Sequence, residues 1–142
     1  MRLWPLSIID QLPRQQLLGQ HRECCALRGK GWGRKHATVD YVFKHPYSWL
    51  AIYHFMVMAE LQERGYHIDS IWYDAEYRGK SIGIDTSYFT KSTIVEDRNH
   101  EDFQTWRYQI YPEHDERYLE ECIENLSRKG VEINRVKVKQ RK

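Results

Sequence analysis

The chain is poor in several things, and each shortage narrows what it can be. It has three cysteines and four prolines in 142 residues, and a net charge of only +2. The cysteines (Cys24, Cys25 and Cys122) are odd in number and two are adjacent. Neighbouring cysteines rarely pair, so no disulfide framework is expected and a reducing, cytoplasmic setting fits best. No apolar run reaches the roughly 20 residues of a membrane span; the longest, 49–61, is interrupted by His54. The opening MRLWPLSIID has no apolar stretch long enough for a secretory signal. There is no CxxC pair, no phosphate-binding loop ending in GK[ST], and no internal repeat or linker. His21, Cys24, Cys25, His36, His114 and Cys122 do not make a metal set by spacing, because adjacent helical cysteines cannot easily serve one tetrahedral ion. Neither a metal nor a cofactor is expected.

What is present suggests a single packed domain over residues 1–142. Hydrophobic residues make up 41% and aromatics 13%, enough for one core at this length. Charge is unevenly placed. Residues 1–50 carry eight Lys/Arg against three acids, a local +5, and the remaining 14 bases and 17 acids leave −3. A positive N-terminal third can attract phosphates, or be an ordinary solvated face.

The apolar spacing predicts three main helices in a mainly α, compact bundle with irregular connections. The first runs over residues 13–28, with Pro13 at its start and Leu17, Leu18, His21, Cys24 and Cys25 along one side. Gln16, Gly19, Arg22, Glu23 and Ala26 fall on the opposite side. His21, on the apolar stripe, reads as a satisfied core histidine. Gly29, Gly31 and Gly33 then mark a loop made basic by Lys30, Arg34 and Lys35. The second helix covers about 46–64 and ends at Gly65, with Trp49, Ile52, Tyr53, Met56, Val57 and Leu61 inward. The third starts near His114 or Asp115 and ends by 129–130, with Leu119, Cys122, Ile123 and Leu126 inward. Residues 7–12 suit one helical turn. Residues 66–112 show no long period and read as loops, short turns and short strands. The basic tail, 131–142, reads as a short strand or a loose arm that touches phosphate.

The segment LPRQQLLGQHRECCALRGKGWGRKH, with Arg22-Glu23 followed by Arg34-Lys35-His36, resembles the first long helix of the pyrimidine-dimer DNA glycosylase family, of the endonuclease V type. AELQERGYHI (59–68) is similar to the end of that family's second helix, and TWRYQIY (105–111) to its C-terminal aromatic cluster. The resemblance implies a DNA repair glycosylase with AP lyase activity. Its nucleophile would be the N-terminal α-amine, here that of Met1, with Glu23 as acid and base. Arg2, Arg14, Arg22, Arg28, Lys30, Arg34 and Lys35 would contact DNA, Gly19 would leave room in the site, and Trp32 or Trp106 would either stack on a distorted base or belong to the core. The implied partner is double-stranded DNA containing a lesion, met by a monomer away from any membrane.

The chain departs from the family pattern twice. The family's N-terminal threonine, exposed by methionine removal, is replaced here by Met1-Arg2, which aligns when shifted by one residue. Three residues after the glutamate the family has an arginine, and this chain has Ala26. The rival expectation is a non-catalytic nucleic-acid-binding module on the same fold.

Overall fold

The computed structural model describes residues 2–29, 39–86 and 109–139. Three long helices organise them: α1 (Arg14–Arg28), α2 (Tyr47–Glu63) and α3 (Glu116–Arg128). No strand occurs among the described residues; the nearest thing is one antiparallel bridge between Tyr77 and Ile84. The mainly helical expectation holds, and each helix lies within about two residues of its predicted span.

The helix ends follow local chemistry. Pro13 and Pro46 occupy the caps of α1 and α2, where an amide without a hydrogen costs nothing because the first amides of a helix lack partners anyway. Asp115 caps α3, its carboxylate accepting the Tyr118 N–H at 2.9 Å. At the far ends, Gly65 (φ +90°) and Gly130 (φ +83°) take the left-handed turn that lets Tyr66 N–H and Val131 N–H reach back to the carbonyls of Leu61 and Leu126.

α2 is the central element. It packs on α1, on a 3₁₀ turn at Leu6–Gln11 and on another at Asp40–Lys44. Surrounded in this way it is buried nearly all round, and Tyr47, Ser48, Leu50, Ala51 and His54 join the expected Ile52, Tyr53, Val57 and Leu61 inside. α3 is the opposite case, a one-sided helix that buries Cys122, Ile123 and Leu126 and leaves its acids in solvent.

The N-terminal segment belongs to the core. Leu3, Trp4, Leu6, Ile8, Ile9 and Leu12 are all buried with α1 and α2. The tail through residue 139 is neither a strand nor a loose arm. It turns once at Arg135–Lys137, and Lys139 N–H then bonds to the Ser7 carbonyl at 3.0 Å. The Gln11 side chain both donates to and accepts from the Asn134 backbone. No helix among the described residues is long and apolar enough to cross a membrane.

Candidate active site cleft

The polar side of α1 forms the floor of a cleft of about 910 Å³. Gln16, Gly19, Arg22, Glu23 and Ala26, the five residues that the helical spacing sets opposite the apolar stripe, all line it. Arg2 and Trp4 enter from the N-terminal segment. Trp72 and Arg78, Gly79, Lys80 and Ser81 make a second wall, and Asn125 of α3 and Lys129, the residue that caps its C-terminal end, complete the lining.

Its electrostatic character is clear from this lining. Glu23 is the single carboxylate among the described lining residues, against five bases: Arg2, Arg22, Arg78, Lys80 and Lys129. Glu23 is only 7% exposed, so its charge sits in a partly dehydrated setting where fixed charges act more strongly than in water. Arg22, its neighbour, is exposed. Gly19 supplies space one helical turn before Glu23: a side-chain carbon placed there would meet only the Arg22 Nη2, at 3.8 Å.

The second wall is held by the back of the same helix. Arg28 is fully buried, and all its N–H groups are used internally. Its Nε donates to Tyr47 Oη at 3.0 Å, Nη1 to His54 Nδ1 at 2.9 Å and to the Trp72 carbonyl at 2.8 Å. Nη2 donates to the carbonyls of Asp74 and Tyr77, both at 2.7 Å. The loop 72–77 is thereby bound to α1. Arg78 adds to this from the other side, donating through Nε to the Arg28 carbonyl at 2.6 Å while its guanidinium lies 3.9 Å from the Tyr47 ring centre. The approach is close enough that a side chain at Gly29 would come within 3.2 Å of the Arg78 carbonyl. Beyond it the chain turns tightly, with Gly79 (φ +98°) and Gly83 (φ +72°) in the left-handed region and Gly83 N–H bonded to the Gly79 carbonyl. Lys80 and Ser81 stand exposed at that turn.

Arg28 therefore has a different role from the one expected of it. A guanidinium with no exposed surface and every donor occupied cannot reach a phosphate, so it leaves the set of DNA contacts and becomes the tie between helix and loop. Arg14 is exposed but lies away from the cleft, over the Tyr66 ring. Arg2, Arg22 and Glu23 converge as expected. Met1, Lys30, Trp32, Arg34, Lys35, His36 and Trp106 lie outside the described residues. The sequence reading missed Lys80, Lys129, Trp72 and Gln20, which come to the cleft from separate elements. A hint was available for Lys80 alone, as the base flanked by glycines in the run 78–83.

One cluster invites a metal reading that spacing hid. The ligand-type atoms of His21, Cys25 and His54 lie within 4.8 Å of one another. The hydrogen bonds assign them another state. An arginine can only donate, so His54 Nδ1 accepts from Arg28 and its ring proton sits on Nε2, facing His21 Nδ1 at 2.8 Å. A metal needs the lone pair at that Nε2, and ligating histidines donate their other ring N–H rather than accept there. The group is a hydrogen-bonded chain of two neutral imidazoles that leads from the Arg28 guanidinium toward the cleft. Burial first, and then the Arg28 charge, pushes His54 down to about 2, and burial beside Arg22 and Arg28 lowers His21. Cys25, half buried, is pushed up to about 11 by its burial, so its thiol stays protonated and weakly nucleophilic near neutrality.

Comparison with known proteins bears on the floor of this cleft. The family model for pyrimidine dimer DNA glycosylase matches residues 1–74, which span the N-terminal segment, α1, α2 and Trp72. The loop with Lys80 and the α3 end with Lys129 lie beyond the match. No curated protein and no solved structure matches the chain. The matched half carries the carboxylate, the glycine gap and two of the five bases of the cleft, and by that match the chain belongs to the pyrimidine dimer DNA glycosylase family.

Proposed function

We propose that this protein is a DNA glycosylase with AP lyase activity on damaged pyrimidines, using its N-terminal α-amine as nucleophile and Glu23 as acid and base. The observation that carries the reading is Glu23, a nearly buried acid and the one carboxylate among the described lining residues of a cleft that also holds five Lys/Arg, among them Arg2 of the N-terminal segment. An α-amine titrates near about 7.7–8.0, so a useful fraction is unprotonated at neutral pH, where a lysine would need a large downward shift.

In this mechanism the amine nitrogen forms a bond to the sugar C1′, and the damaged base departs with the electron pair of its glycosidic bond. Glu23 as carboxylate stabilises the positive charge that grows on the sugar, takes the proton that the bonded amine sheds, and passes it to the ring oxygen as the ring opens. The product is an iminium between C1′ and the amine. Loss of a C2′ proton then expels the 3′ phosphate, cutting the strand by β-elimination. Arg2, Arg22, Lys80 and Lys129 offset the few kcal/mol needed to bend and unstack the duplex by pairing with its phosphates. Lys30, Arg34 and Lys35, which the family resemblance also assigns to DNA, would add to this charge pairing. The protein acts as a cytoplasmic monomer, without metal or cofactor.

An N-terminal extension that buries the amine in a peptide bond tests this directly. Scission of a duplex carrying a pyrimidine dimer or an abasic site is then abolished, while the gel shift persists. A wild-type protein that shifts such duplexes but cuts neither would instead be the binding module on the same fold.

A further inference from the structure

Residues 2–4 form no helix and pair with no strand among the described residues, yet none of their carbonyls is left to water alone. The Arg2 carbonyl accepts from Gln20 Nε2 at 2.8 Å, the Leu3 carbonyl from Tyr118 Oη at 2.7 Å, and the Trp4 carbonyl lies 2.5 Å from Tyr53 Oη. Trp4 N–H returns to Gln20 Oε1 at 2.9 Å, so one amide side chain both donates to and accepts from the segment, as a neighbouring strand would. Tyr53 Oη is also 2.6 Å from that Gln20 oxygen, and its single proton serves one of the two acceptors at a time.

The three side chains come from three different helices: Gln20 from α1, Tyr53 from α2 and Tyr118 from α3. Gln20 is 3% exposed and Tyr53 fully buried, so these bonds form where water competes poorly and leaving them unmade is costly. Gln20 also stands one helical turn before Glu23, and both line the cleft. Core packing of Leu3 and Trp4 would by itself hold the segment in place, but would not fix its slide along its own axis. The paired bonds to Gln20 do fix it.

We propose that Gln20, supported by Tyr53 and Tyr118, is a positioning residue that holds the chain start in register with Glu23. The inference rests on the reading of the N-terminal amine as nucleophile. Gln20 touches no reacting atom; it sets where the amine begins, since consecutive α-carbons are only about 3.8 Å apart. Displacement of a catalytic group by about 1 Å can cost about 100-fold in rate.

The test uses Gln20→Met, which keeps the volume and removes both bonds, with Tyr118→Phe as a milder variant that removes one. Three quantities are read on the folded proteins: single-turnover scission of an abasic duplex at saturating protein, duplex affinity, and the pH dependence of α-amine acylation, mapped to the N-terminal peptide. The expected result for Gln20→Met is a fall in scission of about 10- to 100-fold, with affinity within about 2-fold. Acylation of its α-amine should also follow pH differently from that of the wild-type protein, because the surroundings of the amine change with the register. Tyr118→Phe should move both properties the same way by less.

Wild-type scission and amine titration in a folded Gln20→Met, with only its melting temperature lowered, would reduce Gln20 to a packing residue and overturn the proposal. Failure of the underlying reading looks different: the extended-N-terminus protein would still cut DNA, whatever Gln20→Met does to the titration of the amine.

Discussion

Arg22 and Arg28 stand six residues apart on α1, and the fold treats them in opposite ways. Arg22 lies exposed in the cleft beside Glu23; Arg28 is sealed inside, its donors given to two side chains and three backbone carbonyls. One cation is left available for a ligand, the other is spent on holding loop 72–77 against the helix. The same residue type on the same helix thus lies open in the cleft on one face and ties the architecture together on the other. What separates them is the neighbourhood: Arg28 meets neutral acceptors arranged around it, and Arg22 meets open space above Gly19.

The contrast can be broken or sharpened by substitution. The largest effect is expected at Glu23. Glu23→Gln keeps the shape but removes the carboxylate that the proposed mechanism uses as its proton shuttle, and should lower scission by about 10²–10⁴-fold, with the gel shift retained. Intact cleavage by this variant would remove the carboxylate from the mechanism.

Arg28→Met comes next. It leaves five acceptors without their donor, two at buried bonds and three at part-buried ones, at about 1–3 kcal/mol for each one that stays unpaired away from water. A net loss of about 3–5 kcal/mol is expected, measured by denaturant melts, with the 72–77 loop gaining protease sensitivity. A variant as stable as the wild type would contradict the assignment of Arg28 as the tie.

An effect of pH on stability follows from the inner face. Burial holds His54 neutral down to about 2 and His114 to about 3, against an ordinary value near 6.5. Below pH 6.5 the unfolded chain takes up protons that the folded chain refuses. The stabilisation is therefore complete above 6.5 and is lost progressively as pH falls toward 3. Melting temperature followed from pH 8 to pH 4 should fall along this course, and less steeply in His114→Gln. A flat profile would mean that these histidines protonate in place.

Arg22→Ala should be the gentlest change. Stability should stay within about 0.5 kcal/mol, while duplex affinity weakens and the salt dependence of binding loses about one unit of slope. An unchanged slope would take Arg22 off the phosphates.

Much of this molecule was legible in the sequence, and the limits have physical causes. The three helices were readable because their apolar residues recur at helical spacing and their ends carry Pro13, Pro46, Asp115, Gly65 and Gly130. The cleft floor was readable for the same reason: Gln16, Gly19, Arg22, Glu23 and Ala26 share one side of a regular helix. The second wall was not, because loop 72–81 takes its place from bonds to Arg28 and Arg78, which no periodicity records. Arg28 entered the set of DNA contacts through the family resemblance, and its structural role shows only when its acceptors, scattered from Tyr47 to Tyr77, are brought together. His54 was invisible as a partner of His21 since the two lie 33 residues apart on different helices. Gln20 was passed over as one more polar residue, its function residing entirely in the backbone that lies against it.

The central claim is that the chain-start nitrogen performs the chemistry within reach of Glu23. Borohydride reduction during incubation with an abasic duplex, followed by peptide mapping of the adduct, tests it most directly. The account predicts a covalent adduct on the N-terminal peptide, strongly diminished in Glu23→Gln. An adduct on Lys80 or Lys129, or none while the duplex stays bound, would contradict it.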